Sequence, residues 1–427
     1  RPLLRNENGG ADRSGESAAP GNARDRAMIG RRIFLGAAAG AALAARAHAQ
    51  APAWPAVRER ARGKPVFFNA WGGDERTNAF VAWAAERVRA VHGVDLRHVR
   101  LRDTAEAVQR VIAEKAAGRE SGGSVDLIWL NGPNFLAMKD QRLLFGPFAE
   151  RLPNFRFVDV EGKPATVVDF TVPVEGFAAP WRMAQIVIVY DSARVPRPPR
   201  TMRAMVDWAR DNPGRLAHPA ARNFLGATFL KQALFELAPD AAPLGRPATD
   251  AAYDAAVAPL WVWYEALRPH LWRRGAQFPD GGPAVRALMN DGELDLMISF
   301  NPAEAAVSIA NDLLPRTARA VGFADGSIAN ASFVAIPYNA ANPDGAMLVA
   351  DFLLSAEAQA RMSDPRHLGN PSVLDLARLP PEESRHFRDI PGVPGMPSPG
   401  ELGRALPEPH PSWMTRLAAD WERRVLR

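Results

Sequence analysis

Val125, Leu127, Ile128, Trp129 and Leu130 make a short, almost unbroken apolar run that stops at Asn131-Gly132-Pro133. A strand with no polar alternation has to be covered on both faces, which a largely parallel sheet between helices provides. Pro133 has no N–H for a ladder but suits the first turn of a helix. The junction therefore sets polar side chains and free backbone N–H groups at the carboxyl edge of a sheet. In open α/β sheets that edge is where ligands bind.

The same strand, polar turn and helix pattern recurs along the chain. Residues 66–70 form a strand broken by Gly72-Gly73, and Asp74 can cap a helix over residues 75–91. Residues 94–99 read as a second strand, 105–117 as an amphipathic helix, the opening run as the third strand and 135–141 as its helix. This β-α-β-α-β alternation implies a parallel sheet. A Pro-rich stretch over 147–174 leads into a long apolar strand at 179–190, read as the crossing into a second lobe. There, helices at 201–210, 223–237, 253–267 and 285–290 precede Leu294 to Asn301-Pro302, which repeats the strand, Asn, Pro arrangement, and a helix follows at 303–310. Residues 326–337 read as the return crossing, 343–363 as a helical run, and 413–426 as a final amphipathic helix. The expected division is lobe 1 over 50–180 and 326–427, including the C-terminal helices, and lobe 2 over 181–325.

Residues 1–27 have almost no apolar content and read as a disordered leader, with Met28 as a start. Arg31-Arg32-Ile33-Phe34-Leu35, a small-residue apolar run and Ala47-His48-Ala49 form the n-region, h-region and cleavage site of a twin-arginine-type signal peptide over 28–49. The apolar run is too short to span a bilayer, which takes about 20 residues. The competing reading is a buried Ala-rich helix. The expectation is a mature form that does not span the membrane, released near Ala49 into a Gram-negative periplasm.

Eight arginines and four acids lie within residues 1–49, so the leader carries most of the formal charge of +5 and the body is close to neutral. That gives no case for nucleic acid. The chain has no cysteine, which excludes disulfides, thiolate metal sites, a cysteine nucleophile and a lipidated N-terminal cysteine.

Several segments resemble one family: residues 68–73, 113–119, 124–132, 143–148, 173–176, 179–185, 212–215 and 228–234. Together, and in this order, they are similar to the YnjB-type solute-binding proteins of ABC transporters. The resemblance implies an α/β, two-lobed type II periplasmic-binding-protein fold with hinge crossing strands. It implies a small polar solute captured between the lobes and handed to a membrane permease with its ATPase. Separately, the chain is expected to hold no cofactor and no metal site of its own and to be a monomer, with a metal accompanying the solute left open. It does not supply the solute, since the wider group takes thiamine, polyamines, ferric iron and sugars.

A cleft binder needs a few converging polar groups and some aromatic surface. Trp71, Gly72 and Gly73 end the first strand and offer a stacking face and close backbone approach, or only a rim aromatic and a turn. Asn131 and Gly132 end the third strand and suit an anion or hydroxyl, although Asn131 as a plain helix cap is an equal reading. Trp181, Arg182 and Met183 lie at the crossing, with Trp181 the leading aromatic and Arg182 either an anion partner or a solvated charge. Asn223, and the strand end Ser299, Phe300 and Asn301, face from the second lobe, with Asn223 and Asn301 also readable as caps. Asn330 lies on the return crossing. Asp74, Glu75, Asp169, Glu175 and Glu304 could complement an amine, but read mostly as caps or surface charges. Trp261, Trp263 and Tyr264 at helical spacing read as core.

The sequence contains no G-x-S-x-G, H-E-x-x-H or P-loop motif, and its eight histidines show no metal-ligand spacing. An exported, glycosidase-like hydrolase stays open as the alternative, because paired carboxylates converge only in space.

Overall fold

The computed structural model describes residues 54–426; the leader and signal segment read from residues 1–49 lie outside them. The first alternation becomes α1 (Trp54–Ala61), β1 (Pro65–Trp71), α2 (Glu75–His92), β2 (Asp95–Leu101), α3 (Ala105–Ala116), β3 (Leu127–Leu130) and α4 (Pro133–Asp140). β1 pairs in parallel with β2 on one side and β3 on the other. All four residues of β3 are buried, which is what its lack of polar alternation demands. Asp74 caps α2 by accepting from the Arg76 N–H, and Pro133 opens α4 in the first helical position.

A two-stranded excursion, β4 (Val168–Asp169) and β5 (Val172–Pro173), precedes β6 (Ala178–Gln185) and β7 (Val187–Asp191). The apolar stretch read as one strand over 179–190 is therefore two. β6 belongs to the first sheet and β7 to the second, and the buried Ile186 between them donates to Ile328 O at 2.9 Å. Apolar residues continue without a break because each half is buried in its own lobe, so composition gives no sign of the change of sheet.

The second lobe holds α5 (Met202–Asp211), β8 (Leu216–Ala217), α6 (Phe224–Leu237), α7 (Asp250–Leu267), α8 (Gly281–Asn290), β9 (Leu296–Ser299), α9 (Glu304–Ala310) and β10 (Ala318–Val321). Its sheet runs β10-β7-β9-β8, with β7 antiparallel to both neighbours. The chain returns through β11 (Ser327–Ala335), which lies antiparallel to β3 and to β6. Then follow α10 (Pro343–Leu353), α11 (Ala356–Ser363), α12 (Pro381–Ser384), α13 (Pro399–Leu402), β12 (Ala405–Leu406) on the start of β11, and α14 (Pro411–Val425).

Each sheet has apolar clusters on both faces. In the first lobe Phe68, Phe80, Trp129 and Trp181 pack on one face, and Ile128, Leu130, Phe135 and Phe333 on the other. Trp261, Trp263 and Tyr264 are core residues of the second lobe.

The C-terminal helix corrects the expected division. α14 buries Trp413, Leu417, Trp421 and Val425 in the second lobe's core, not the first's. Trp421 Nε1 donates to the Tyr264 hydroxyl at 2.8 Å, and the Tyr253 hydroxyl donates to Asp420 at 2.7 Å. The helix pattern shows that this face must be covered; it does not show by what.

Candidate functional site

β1, β3 and β11 bring Trp71-Gly72-Gly73-Asp74, Asn131-Gly132 and Asn330 to one edge of the first sheet, and the second lobe meets this edge. Arg76, in the first turn of α2, reaches Asp74 Oδ2 at 2.9 Å and, across the lobes, Glu304 at 3.4 Å. Arg286 Nη1 binds the same Glu304 at 3.1 Å, and the Ser299 and Ser308 hydroxyls donate to it at 3.2 and 2.8 Å. Burial disfavours the Glu304 charge, but the two arginines and Ser308 outweigh it and hold its pKa down at about 2. Burial likewise opposes the Arg76 charge, and Glu304 and Asp74 more than offset it, so its pKa lies above the usual arginine value.

Arg182, which feels the charges of Asp74 and Arg76, lies against a cluster of edge-on tryptophans. Trp129 meets Trp181 edge-on at 5.1 Å and Trp71 at 6.5 Å. The β6–β11 register slips between Ser332 and Phe333: Phe333 faces Pro180, and Ser332 faces Arg182. Trp181 is thus the extra residue of a bulge, a device that re-aims side chains. The Arg182 guanidinium lies 4.3 Å from the Trp129 ring centre and 5.2 Å from that of Trp181. Its Nε is buried without a partner, as is Nη1 of Arg76. Burial lowers the Arg182 pKa to about 10, with Asp74 raising it and Arg76 lowering it.

A second interlobe cluster lies further along the edge. Asp169 accepts from Asn131 Nδ2 at 2.9 Å and from the Gly132 N–H at 2.5 Å. Lys231, fully buried on α6, lies 4.3 Å from the Phe170 ring centre and 4.9 Å from that of Phe224, and binds Glu408 Oε2 at 2.6 Å. Asn330 donates to the other oxygen of Glu408 at 2.9 Å. Burial pushes Lys231 down and Glu408 up, and their mutual contact opposes both shifts. Burial also raises Asp169 to about 7 against its two donors.

The expected site residues separate into groups. Ser299 donates to Glu304 within the arginine network, Trp71, Gly72 and Gly73 lead directly into Asp74, and Trp181 lies against Arg182. Any Cβ at Gly73 would meet the Trp71 indole at 2.6 Å, so this glycine lets the Trp71 ring fold over its own turn. Trp181 has no exposed surface; it supports Arg182 and Trp129 rather than presenting a face to solute. Met183 is half-buried and ties its N–H to Pro371 O. Asn131, Gly132 and Asn330 belong to the second cluster, where the Gly132 N–H expected to be free is taken by Asp169, and Asn330 is buried against Glu408. Asn223 caps α6 through the Leu225 N–H, and Phe300 packs edge-on against Phe224 at 5.2 Å. Asn301 caps locally through Ala303 N–H and also donates across to Leu368 O at 2.7 Å. Among the described residues no group of three or more His, Asp or Glu side chains is placed to hold a metal ion.

Sequence reasoning missed Arg76, Arg286, Lys231 and Glu408. Two signals were there. Arg76 stands in the first turn of a helix, where a cation opposes the helix dipole and calls for an anion nearby. Lys231 is the one charged residue among 225–234 of the helix Phe224 to Leu237, all of which are buried.

Residues 83–385 match the family model of bacterial extracellular solute-binding proteins. The chain is 40% identical over 368 residues to protein YnjB of Escherichia coli (strain K12), covering 86% of this chain and 92% of that one. The chain belongs to the bacterial extracellular solute-binding protein family. As a solute-binding protein of the ABC-importer type it binds a small ligand and works with a membrane permease and its ATPase; it is not an enzyme, and the hydrolase alternative finds no support. Solved structures place it in the same two-lobed fold. The TpPotD lipoprotein of Treponema pallidum superimposes with a TM-score of 0.62 at 15% identity, covering 85% of this chain and all of that one. The periplasmic binding protein AfuA of Actinobacillus pleuropneumoniae, solved with fructose-6-phosphate, gives 0.57 at 15% identity, over 85% and 99% of the two chains. The spermidine/putrescine substrate-binding protein PotD of Streptococcus pneumoniae gives 0.56 at 14%, over 85% and 98%. At such identities these likenesses establish the fold of the solute-binding protein and leave its solute open. No helix among its described residues is long and apolar enough to cross a membrane.

Proposed function

We propose that this solute-binding protein is exported by its twin-arginine signal, cleaved near Ala49, and works as a monomer in a Gram-negative periplasm. It takes a small polar solute between its lobes at the carboxyl edge formed by Trp71, Gly72 and Gly73, with Arg76, Arg182 and Trp129 beside them. Ser299 and Glu304 close the site from the second lobe. The lobes hinge where β6 passes into β7 and where β10 passes into β11, and the closed form docks on the permease with both lobes. Asn131, Gly132 and Asn330 hold the second interlobe contact instead of touching solute.

The observation that carries this reading is the network in which Arg76 and Arg286, from opposite lobes, share Glu304, with edge-on tryptophans on the same sheet edge. It combines polar groups from two bodies with aromatic surface, which is what a solute cleft requires. The test is mass spectrometry of protein isolated natively from periplasm. The protein should carry one small molecule, released chemically unchanged on denaturation. Trp71→Ala should weaken its retention at least tenfold while near-UV dichroism stays native. A solute consumed by the protein, or retained equally by Trp71→Ala, would overturn the reading.

A further inference from the structure

Three cations and two carboxylates make up the arginine network. Arg76 pairs with Asp74 and Glu304, and Arg286 pairs with Glu304. The Arg182 side chain makes no hydrogen bond or ion pair with any described residue; the faces of Trp129 and Trp181 lie against it, and only the more distant charge of Asp74 favours its own. The residue is partly buried, with Nε shut off from water and unmet, and the rest of its planar fork lies open to a bidentate oxyanion, whose geometry it matches. Arg76 adds a second donor, Nη1, also buried and unmet. Both carboxylates are already engaged by arginines, so an ammonium solute would find no free acid here and would meet a surplus positive charge.

We propose that the solute is a small organic anion whose carboxylate or phosphate oxygens seat on Arg182, with Arg76 Nη1 as a second donor. The body of the solute lies against the half-buried Trp71 and the Trp129 edge. This deepens the carrier reading and rests on it. Cation–π contact with Trp129 holds the guanidinium flat, so its rim of N–H groups is pre-oriented before solute arrives. The bulge at Trp181 is the backbone feature that turns Arg182 onto this stack.

The test uses the purified protein after removal of retained solute by partial unfolding and refolding. Inorganic phosphate, glycerol 3-phosphate, citrate and succinate form the anionic arm, putrescine and spermidine the cationic arm, and glucose the neutral arm. Melting temperatures are read at matched ionic strength. At least one anion should raise the midpoint with saturable dependence, and phosphates against carboxylates identify the head group. Arg182→Met should lose that response at least tenfold in apparent affinity while its own urea midpoint stays close to that of the wild type, since the side chain holds no hydrogen bond or ion pair and Met keeps its packing on the tryptophans. Arg361→Met, which removes a guanidinium stacked on Trp83 outside the cleft, should keep the response. No shift with any anion, or a shift untouched by Arg182→Met, overturns the proposal. Saturable binding of putrescine, spermidine or glucose that survives Arg182→Met overturns it too, but leaves the carrier reading standing.

Discussion

Glu304 is the residue on which the interlobe contact turns. It is 6% exposed and takes two arginines and two hydroxyls. Its folded pKa, about 2, lies below the ordinary 4.5, so its contribution to stability is complete above pH 4.5 and is lost as pH falls through 2. Glu304→Gln should cost about 3 kcal/mol at neutral pH, because it leaves Arg76 and Arg286 buried without their shared acid. In urea titrations the variant should also lack the part of the acid slope between pH 4.5 and 2 that the wild type shows; an unchanged slope would mean the carboxylate is not paired. Little of this was legible beforehand. From the sequence Glu304 reads mainly as a cap or surface charge, since its partners lie 228 and 18 residues away and no local pattern links them. Trp71 and the glycines after it were legible, because a strand, a Gly-Gly break and a capping Asp follow one another within a few residues. Asn131 was legible as a strand end, while its occupation by Asp169 depends on a Pro-rich excursion with no periodicity to read.

Among the elements, β3 and α14 show two degrees of legibility. β3 lies deep in its sheet, so its apolar run fixed both its type and its placement. α14 showed its apolar stripe of Trp413, Leu417 and Trp421, yet its partner is set by shape across the fold: the stripe fits against Tyr253 and Tyr264 on α7. That docking can be measured. Trp421 is fully buried and its indole N–H bonds Tyr264, so Trp421→Ala should destabilise the protein by about 3–5 kcal/mol in urea unfolding. A helix lying loosely on the first lobe would give well under half of that. The β6 bulge is the converse case. A one-residue slip leaves no trace in composition, yet it decides whether Arg182 faces the tryptophans or the opposite side of the sheet.

At the scale of the molecule, the contacts between the lobes include Arg76 with Glu304, Asn301 with Leu368 O, Lys231 over the Phe170 ring, and Phe170 with Phe224 at 6.4 Å. A solute that adds contacts to one arrangement of the lobes biases them toward it by its differential affinity, which is the energetic requirement for closure by population shift. The absence of cysteine makes this testable without background labelling. Val91 on α2 and Val262 on α7 are 54% and 70% exposed, one on each lobe, so Val91→Cys with Val262→Cys accepts a dye pair at solvent-facing sites. Single-molecule energy transfer should resolve two interlobe distances exchanging in microseconds to milliseconds. Whichever anion raises the melting temperature should then collect the molecules into one of them. Adding Arg182→Met to the labelled pair should leave both distances present but remove the anion's influence on their ratio, because the solute shifts the balance only through groups it grips. A single fixed distance under all conditions would make the lobes one rigid body and remove the hinge from the mechanism, while leaving the arginine site itself to be judged by binding.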